Sequence, residues 1–360
     1  MKISTLLMLL KTGAVSVASF TIKSTPRKYA SATISKTTIH SQAFSLENPT
    51  IGSNQKSLSG TSYADVISGL SVLYPPEELS TRNALSRTDG YWKYVAKGEE
   101  PPQTLIYGEF DVLFFADLMD KALSMHNEGS IGNSPISEKT FLDIGSGTGR
   151  LVVGASALHP TLKLCRGLEI LPGIHEKALE SLDMCKSIDG SMRLSPQPNS
   201  HDRQGIPLAP ICFDCGSFSD PYQYFGDADV IFVFSTCFSA EMMSSLSDGI
   251  ARQCKPGTII ITTEYKLNTS GTIAPLSSDP TMPSGEYEID LVNSIDGQNW
   301  LVGGVSTAHI HRLTKSLWDG KGARTRPSPS HQDEMLKEAK EALEVLAPRQ
   351  LSFEEFLKSQ

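Results

Sequence analysis

The stretch Phe141-Leu-Asp-Ile-Gly-Ser-Gly-Thr-Gly-Arg150 constrains this chain more than any other, because a short apolar strand runs straight into three alternating glycines. Phe141, Leu142 and Ile144 read as the end of a buried strand, and Leu151 to Leu158 as the helix that follows. Glycine at Gly145, Gly147 and Gly149 lets the backbone turn sharply and lets a ligand approach where a β-carbon would collide. Strand, glycine turn and helix in that order open a doubly wound α/β sheet.

The spacing discriminates between cofactors. A dinucleotide fingerprint, Gly-x-Gly-x-x-Gly, would need its third glycine where this chain has Arg150, which disfavours NAD; a phosphate-cradling loop would need a Gly-Lys-Ser/Thr ending, which is absent. What remains, Asp-x-Gly-x-Gly-x-Gly, resembles the loop of class I S-adenosylmethionine-dependent methyltransferases. That resemblance implies S-adenosyl-L-methionine as cofactor, with Asp143, Gly145, Gly147 and Gly149 at the site. Glu169 closes the next apolar run, Leu164-Cys-Arg-Gly-Leu-Glu, where a carboxylate can accept hydrogen bonds from both hydroxyls of a ribose.

Charge is unevenly distributed. The first 46 residues hold six Lys or Arg and no Asp or Glu, so leaving them out takes the formal net charge from −8 to about −14 and the remaining body is markedly acidic. Ile3 to Leu10 is an apolar run too short to span a bilayer but suited to a signal-peptide core. An Ala-Ser-Phe20 junction and an acid-poor Ser/Thr/Lys/Arg tract follow, a bipartite pattern that resembles the presequences of algae with complex plastids; an ordinary secretory signal is the alternative. The expected organisation is a targeting presequence over 1–45, a linker and helical segment over 46–103, the main domain over 104–320, and a linker with a charged helix over 321–360.

Along the body, Tyr63 to Tyr74 and Pro76 to Ala84 have helical apolar spacing, and the aromatic run Asp89-Gly-Tyr-Trp-Lys-Tyr94 is expected to pack this segment onto the core. Asp111 to Leu123 and Gly173 to Cys185 read as helices, Lys186 to Pro210 as a polar insertion, and Ile211 to Asp214, Asp229 to Phe234 and Thr258 to Glu264 as strands separated by the amphipathic Ser239 to Gln253. Glu286 to Val292, Asn299 to Val302 and Val305 to Leu313 would supply an antiparallel end. The expectation is therefore a Rossmann-like, seven-stranded sheet with an antiparallel C-terminal edge and a helical N-terminal segment. The six cysteines lie mostly inside these elements and read as small buried hydrophobes; Cys212-Phe-Asp-Cys215 lacks the second ligand pair that a zinc site needs.

With these pieces in hand the chain resembles the non-SET histone lysine methyltransferases, the disruptor-of-telomeric-silencing family, over about residues 104 to 314. The matching parts are Tyr107-Gly-Glu109, the Asp143 to Gly149 loop, Gly167-Leu-Glu169, Gly216-Ser-Phe218 and Asp229 to Val233, with weaker support from Trp300 and Ser306 to Arg312. The resemblance implies that Tyr107, Gly108 and Glu109 form a lid at the methionine end of the cofactor, that Glu169 holds the ribose, and that Ser217 and Phe218 lie at the adenine. Two departures stand out: Ser217 replaces an acidic residue, and Phe234-Ser235 replaces the Asn pair after the fourth strand that lines the family's lysine channel.

Those departures predict a narrower, more apolar acceptor pocket. Lys321, Arg324 and Arg326 are too few for strong nucleic-acid binding, so nucleosomes are expected to be poor substrates; the expected acceptor is a protein lysine or another amine, left open by the sequence, with a basic protein one candidate for the acidic body. Glu109, Tyr265, His309 and His311 are the candidate proton acceptors by chemistry, and none is singled out by spacing. Loss of catalysis with retention of cofactor binding is the alternative outcome of the Phe234-Ser235 replacement.

Overall fold

The computed structural model describes residues 55–324 apart from 93, 95–97, 99–104, 106, 130–133, 188, 196–204, 278 and 300–303. The expected presequence, Trp300, all of the strand expected over Asn299 to Val302 but its first residue, and the C-terminal helix lie outside the described residues.

An eight-stranded sheet organises the chain. Its parallel half comprises β1 (Thr140–Ile144), β2 (Leu164–Glu169), β5 (Ile211–Cys215), β6 (Val230–Val233) and β7 (Ile259–Thr263), and its antiparallel end β8 (Ser270–Ile273), β9 (Gly285–Asn299) and β10 (Gly304–Lys315), in the order β5-β2-β1-β6-β7-β10-β9-β8. Every residue of β1, β6 and β7 is buried, as expected of parallel strands covered on both faces. Strand order reverses between β1, which pairs with β2 on one side, and β6 on the other, and the crevice at their carboxyl ends is where doubly wound sheets take ligands.

Two differences from the sequence reading have local causes. The eighth strand, β8, is a short Ser-Gly-Thr-Ile segment whose Gly271 sits under the Tyr287 ring, so close that a β-carbon would fall 2.7 Å from it; strand and ring form together, which no periodicity in four residues announces. The hairpin β9–β10 is also longer than the expected Glu286 to Val292, because pairing continues from Lys315↔Glu288 up to Gly304↔Asn299 with shifts in register near Val292 and Thr314. Inside the polar insertion, β3 (Arg193–Leu194) and β4 (Ile206–Pro207) make a small ribbon of their own. Cys212 and Cys215, three positions apart on one strand, point to opposite faces of the sheet and do not form a chelating pair.

Helices cover both faces. On one lie α1 (Tyr63–Leu73), α3 (Val112–Gly129) and α4 (Arg150–Leu158), which share a core built around Leu70, Phe115, Phe141, Val152 and Phe232; on the other, Leu142, Ile231 and Ile260 meet Leu246 and Ile250 of α6 (Ala240–Gln253). Ser62 caps α1 by accepting from the Asp65 amide, and Ser239 caps α6 through the Met242 amide. A second N-terminal helix, α2 (Leu79–Arg87), buries Arg82 and Ser86, and α5 (Pro172–Met184) follows β2.

Candidate functional site

The glycine loop is shaped by two aromatic rings. Gly147 and Gly149 have φ of 55° and 83°, the left-handed region, and each also lacks room for a side chain: a β-carbon at 147 would lie 2.6 Å from the Tyr107 ring, and one at 149 would lie 2.4 Å from the Phe213 ring. Phe213 presses equally on Gly167 of β2, at 2.5 Å, so one ring of β5 occupies the space of two absent side chains. The Gly145 and Ser146 amides donate to the Leu168 carbonyl, and the Gly147 amide donates to Glu169 Oε2 at 2.8 Å. Glu169 Oε1 accepts from the Leu171 amide at 2.8 Å, so this buried carboxylate ties the loop to the start of α5. Burial raises its pKa, and the backbone donors work against that rise.

Tyr107-Gly-Glu109 lies over this loop. The Tyr107 amide donates to Ser86 Oγ, while its hydroxyl donates to Glu109 Oε1 at 2.9 Å and meets Thr148 Oγ1 at the same distance. Burial first, and then the Glu109 charge, push the Tyr107 hydroxyl pKa far up, so it stays protonated. Glu109 is gripped by Arg82, whose Nε donates to Oε1 at 2.7 Å, with Arg150 Nη1 at 3.7 Å from Oε2; Arg150 also donates to the Phe110 carbonyl. Arg150, standing where a dinucleotide fingerprint would need glycine, is thus an anchor for the Tyr107-Gly-Glu109 segment.

Four groups of the N-terminal segment reach this machinery. Tyr74 donates its hydroxyl to the Thr148 carbonyl, Arg82 and Ser86 hold Glu109 and Tyr107, and Asp89 accepts from the Gly173 and Ile174 amides at the amino end of α5. Sequence reasoning assigned the Asp89 to Tyr94 run to aromatic packing and gave Tyr74, Arg82 and Ser86 no role. The available signal was Arg82 itself, an arginine on the Leu79 and Ser86 side of its helix, where an apolar residue is expected.

A cleft of about 350 Å³, open to solvent, brings together Tyr107, Gly108, Glu109, Asp143, Gly145, Gly147 and Arg150, with Phe110 and Phe234 as its apolar wall. Asp143 is buried, and burial, followed by repulsion from Glu169, pushes its pKa up to about 8. Ser146 Oγ and Arg150 Nε are buried without a hydrogen-bond partner among the described residues. Glu169 stands one hydrogen bond from the cleft through Gly147, and Gly149 forms the turn into α4.

The remaining sequence candidates fall elsewhere. Phe218 is buried and stacks on Phe238 with ring centroids 5.6 Å apart, and Ser217 Oγ accepts from the Ser219 amide; neither lines the cleft. Tyr265, His309 and His311 do not line it either. His309 meets Ser294 Oγ at 2.9 Å, and the fully buried His311 accepts from the Leu267 amide, its pKa pushed down by burial to about 4. Phe234 lies 5.3 Å from Phe110, ring to ring, and against Gly108. Ser235 does not face an open channel: its hydroxyl donates to the Thr263 carbonyl at 2.6 Å and accepts from the Thr263 amide, locking the end of β6 to β7.

Comparison with known proteins gives one family and several distant folds. The family model of the histone methylation protein DOT1 matches residues 100–279, half of the 360-residue chain. No curated protein matches. Among solved structures, the rRNA methyltransferase aviRa from Streptomyces viridochromogenes is 16% identical at a TM-score of 0.39, over 57% of this chain and 86% of its own. An S-adenosylmethionine-dependent methyltransferase from Clostridium acetobutylicum is 10% identical at 0.36, over 57% and 93%. PKMT2 from Rickettsia typhi, in complex with AdoHcy, is 15% identical at 0.29, over 43% and 25%. Likenesses this distant say nothing of what this cleft binds or modifies.

Proposed function

The chain belongs to the family of the histone methylation protein DOT1 and is an S-adenosylmethionine-dependent methyltransferase; from its cleft we propose that the acceptor is an amine of a basic protein other than nucleosomal histone. The observation that carries the acceptor reading is Phe234, an aromatic wall where the family's resemblance calls for a polar one, packed edge-on against Phe110 on the same side of the cleft.

The residues suit the cofactor. Gly145 leaves a space in the cleft that no side chain fills, two buried polar atoms stand unpartnered among the described residues, and the two carboxylates complement the ammonium and ribose of such a molecule. Glu169 would accept from the ribose with the lone pairs that its two backbone donors leave over, and Asp143 would face the ammonium. S-adenosylmethionine, when bound, supplies a methyl group already activated by a positive sulfur. The protein's part is then to position the acceptor and exclude water, which Phe110, Phe234 and the Tyr107 lid do by their bulk. Glu109 is committed to Arg82 and Tyr107, and the Tyr107 hydroxyl keeps its proton, so neither takes one from the acceptor. The amine must arrive uncharged, helped by an apolar wall that disfavours its ammonium form.

Two measurements test this reading. Protein lacking the first 45 or so residues is incubated with tritiated S-adenosylmethionine and, separately, nucleosomes, free histones and other basic proteins. Labelling of a free basic protein with little labelling of nucleosomes is expected, since an acidic body is repelled by DNA phosphates. Strong nucleosomal labelling overturns the acceptor reading, and cofactor binding without labelling of anything favours a binding-only protein, the outcome that the engaged Ser235 hydroxyl would explain. Calorimetry with S-adenosylhomocysteine and with NAD, which should not bind, checks the cofactor separately.

Glu169→Ala is expected to weaken S-adenosylhomocysteine binding by about 1–3 kcal/mol, the scale of a charge-assisted partner lost. Unchanged affinity with a collapsed melting temperature would leave Glu169 a purely structural tie between Gly147 and Leu171.

A further inference from the structure

The outer edge of β9 is open where the sheet ends. β8 pairs only with residues Gly285 to Glu288, and the Ile289 amide still donates to Thr269, but from Asp290 to Gln298 no strand among the described residues lies on that edge. Asp290, Leu291, Val292, Asn293 and Ser294 are all exposed, so both faces of the strand meet solvent there, and Leu291 and Val292 are large apolar side chains left uncovered. The Ser294 amide donates to Asn293 Oδ1; the rest of this edge, a row of amides and carbonyls with no strand beside it and with such side chains, is a template for another strand.

Charge and position select the occupant. β9 carries Glu286, Glu288, Asp290 and Asp296 and no Lys or Arg. Glu286 and Glu288 share Lys315, whereas Asp290 has no ion pair among the described residues. The upper part of this edge also adjoins the aromatic wall of the cleft. A β-carbon at Gly297 would fall 2.4 Å from the Phe114 ring; Phe114 stacks on Phe110 at 5.3 Å, and Phe110 meets Phe234. A chain laid along Asp290 to Gln298 would therefore pass beside the cleft.

We propose that this edge is a docking strand: a basic, extended segment of the acceptor protein pairs with β9 and presents its amine to the cleft. The inference rests on the amine-acceptor reading above. Main-chain hydrogen bonds supply affinity, and lysines on the added strand meet Asp290 and Asp296, the acidic side chains of the open stretch.

The test uses a synthetic peptide alternating lysine with threonine, without cofactor or turnover, so that it stands apart from methylation. Hydrogen exchange should show new amide protection confined to Asp290–Gln298. The same peptide with alternate backbone amides N-methylated keeps its charge but cannot form a ladder, and should bind about tenfold more weakly or worse. A glutamate–threonine peptide should not bind, and Asp290→Lys, on an exposed position outside the cleft, should weaken the lysine peptide several-fold while S-adenosylhomocysteine binding persists. Equal binding of the N-methylated peptide, protection at β5 instead, or sedimentation showing that this edge already joins two copies of the chain would overturn the proposal. Docking without labelling in the assay above would sink the activity reading and leave the docking strand standing.

Discussion

Arg82→Met is expected to cost about 3–5 kcal/mol of stability, the penalty for leaving a buried charge without its partner. Both side chains of the Arg82–Glu109 pair are nearly inaccessible, at 4% and 5% exposure, and the next cation, Arg150, is 3.7 Å from the other carboxylate oxygen. Removing the charge at both ends, as Arg82→Met with Glu109→Gln, should recover much of the loss, because the desolvated carboxylate disappears together with its counterion. Denaturant unfolding of the two single variants and the double variant measures this. A single Arg82→Met variant within about 1 kcal/mol of the parent would mean that Arg150 compensates Glu109 unaided, with Arg82 a surplus surface-type pair. The lid should loosen along with the pair, since Glu109 Oε1 also fixes the Tyr107 hydroxyl, so cofactor affinity should fall in Arg82→Met beyond what stability alone explains.

A second large effect should appear with pH. Burial and the neighbouring Glu169 raise the Asp143 pKa to about 8, far above its value in an unfolded chain. Between those values the folded protein binds a proton that the unfolded chain does not, so stability is fully present at low pH and is lost as pH rises toward 8. One proton corresponds to a slope of about 1.4 kcal/mol per pH unit. The buried histidines work in the opposite sense: His309 and His311 are pushed down by burial, so they remove stability as pH falls below about 6.5, the ordinary histidine value. The window from about 6.5 to 8 therefore isolates the carboxylates. Without cofactor, melting temperature should fall across it, and Asp143→Asn should flatten the slope. A cationic group bound beside Asp143 favours its ionised form and should flatten the slope too. A parent protein whose stability is level from pH 6.5 to 8 would show that Asp143 is ionised throughout.

What the sequence made legible was local. Phe141 to Arg150 announces its strand, turn and helix within ten residues, and Glu169 is reached by following one helix and one apolar run. Continuous apolar runs such as Val230 to Val233 announce buried parallel strands in the same way. What stayed hidden is carried by contacts between distant positions: Arg82 meets Glu109 27 residues on, Ser86 meets Tyr107 at 21, and Asp89 meets Gly173 at 84. Nothing in the spacing of the N-terminal helices says which loop they will touch, and this segment lies ahead of the stretch matched by the family model. The role of Ser235 was hidden for a related reason: its two bonds to Thr263 exist only once β6 and β7 are side by side. Phe218, placed at the adenine by the family resemblance, stacks on Phe238, a partner 20 positions away that no motif mentions.

The ring of Phe213 fills the space above both Gly149 and Gly167. Those three positions therefore make a single heritable unit. A lineage in which position 213 shrank to alanine would still hold Ser146 Oγ 2.6 Å from a β-carbon at 167, so a side chain on the strand there also needs that hydroxyl to turn away, whereas a lineage that keeps the aromatic ring forbids it outright. Position 149 would stay glycine in both, because its backbone angle penalises a side chain even when the ring is gone. Among descendants of this chain, a side chain at 167 should appear only where 213 has also shrunk, with 149 holding still beside them.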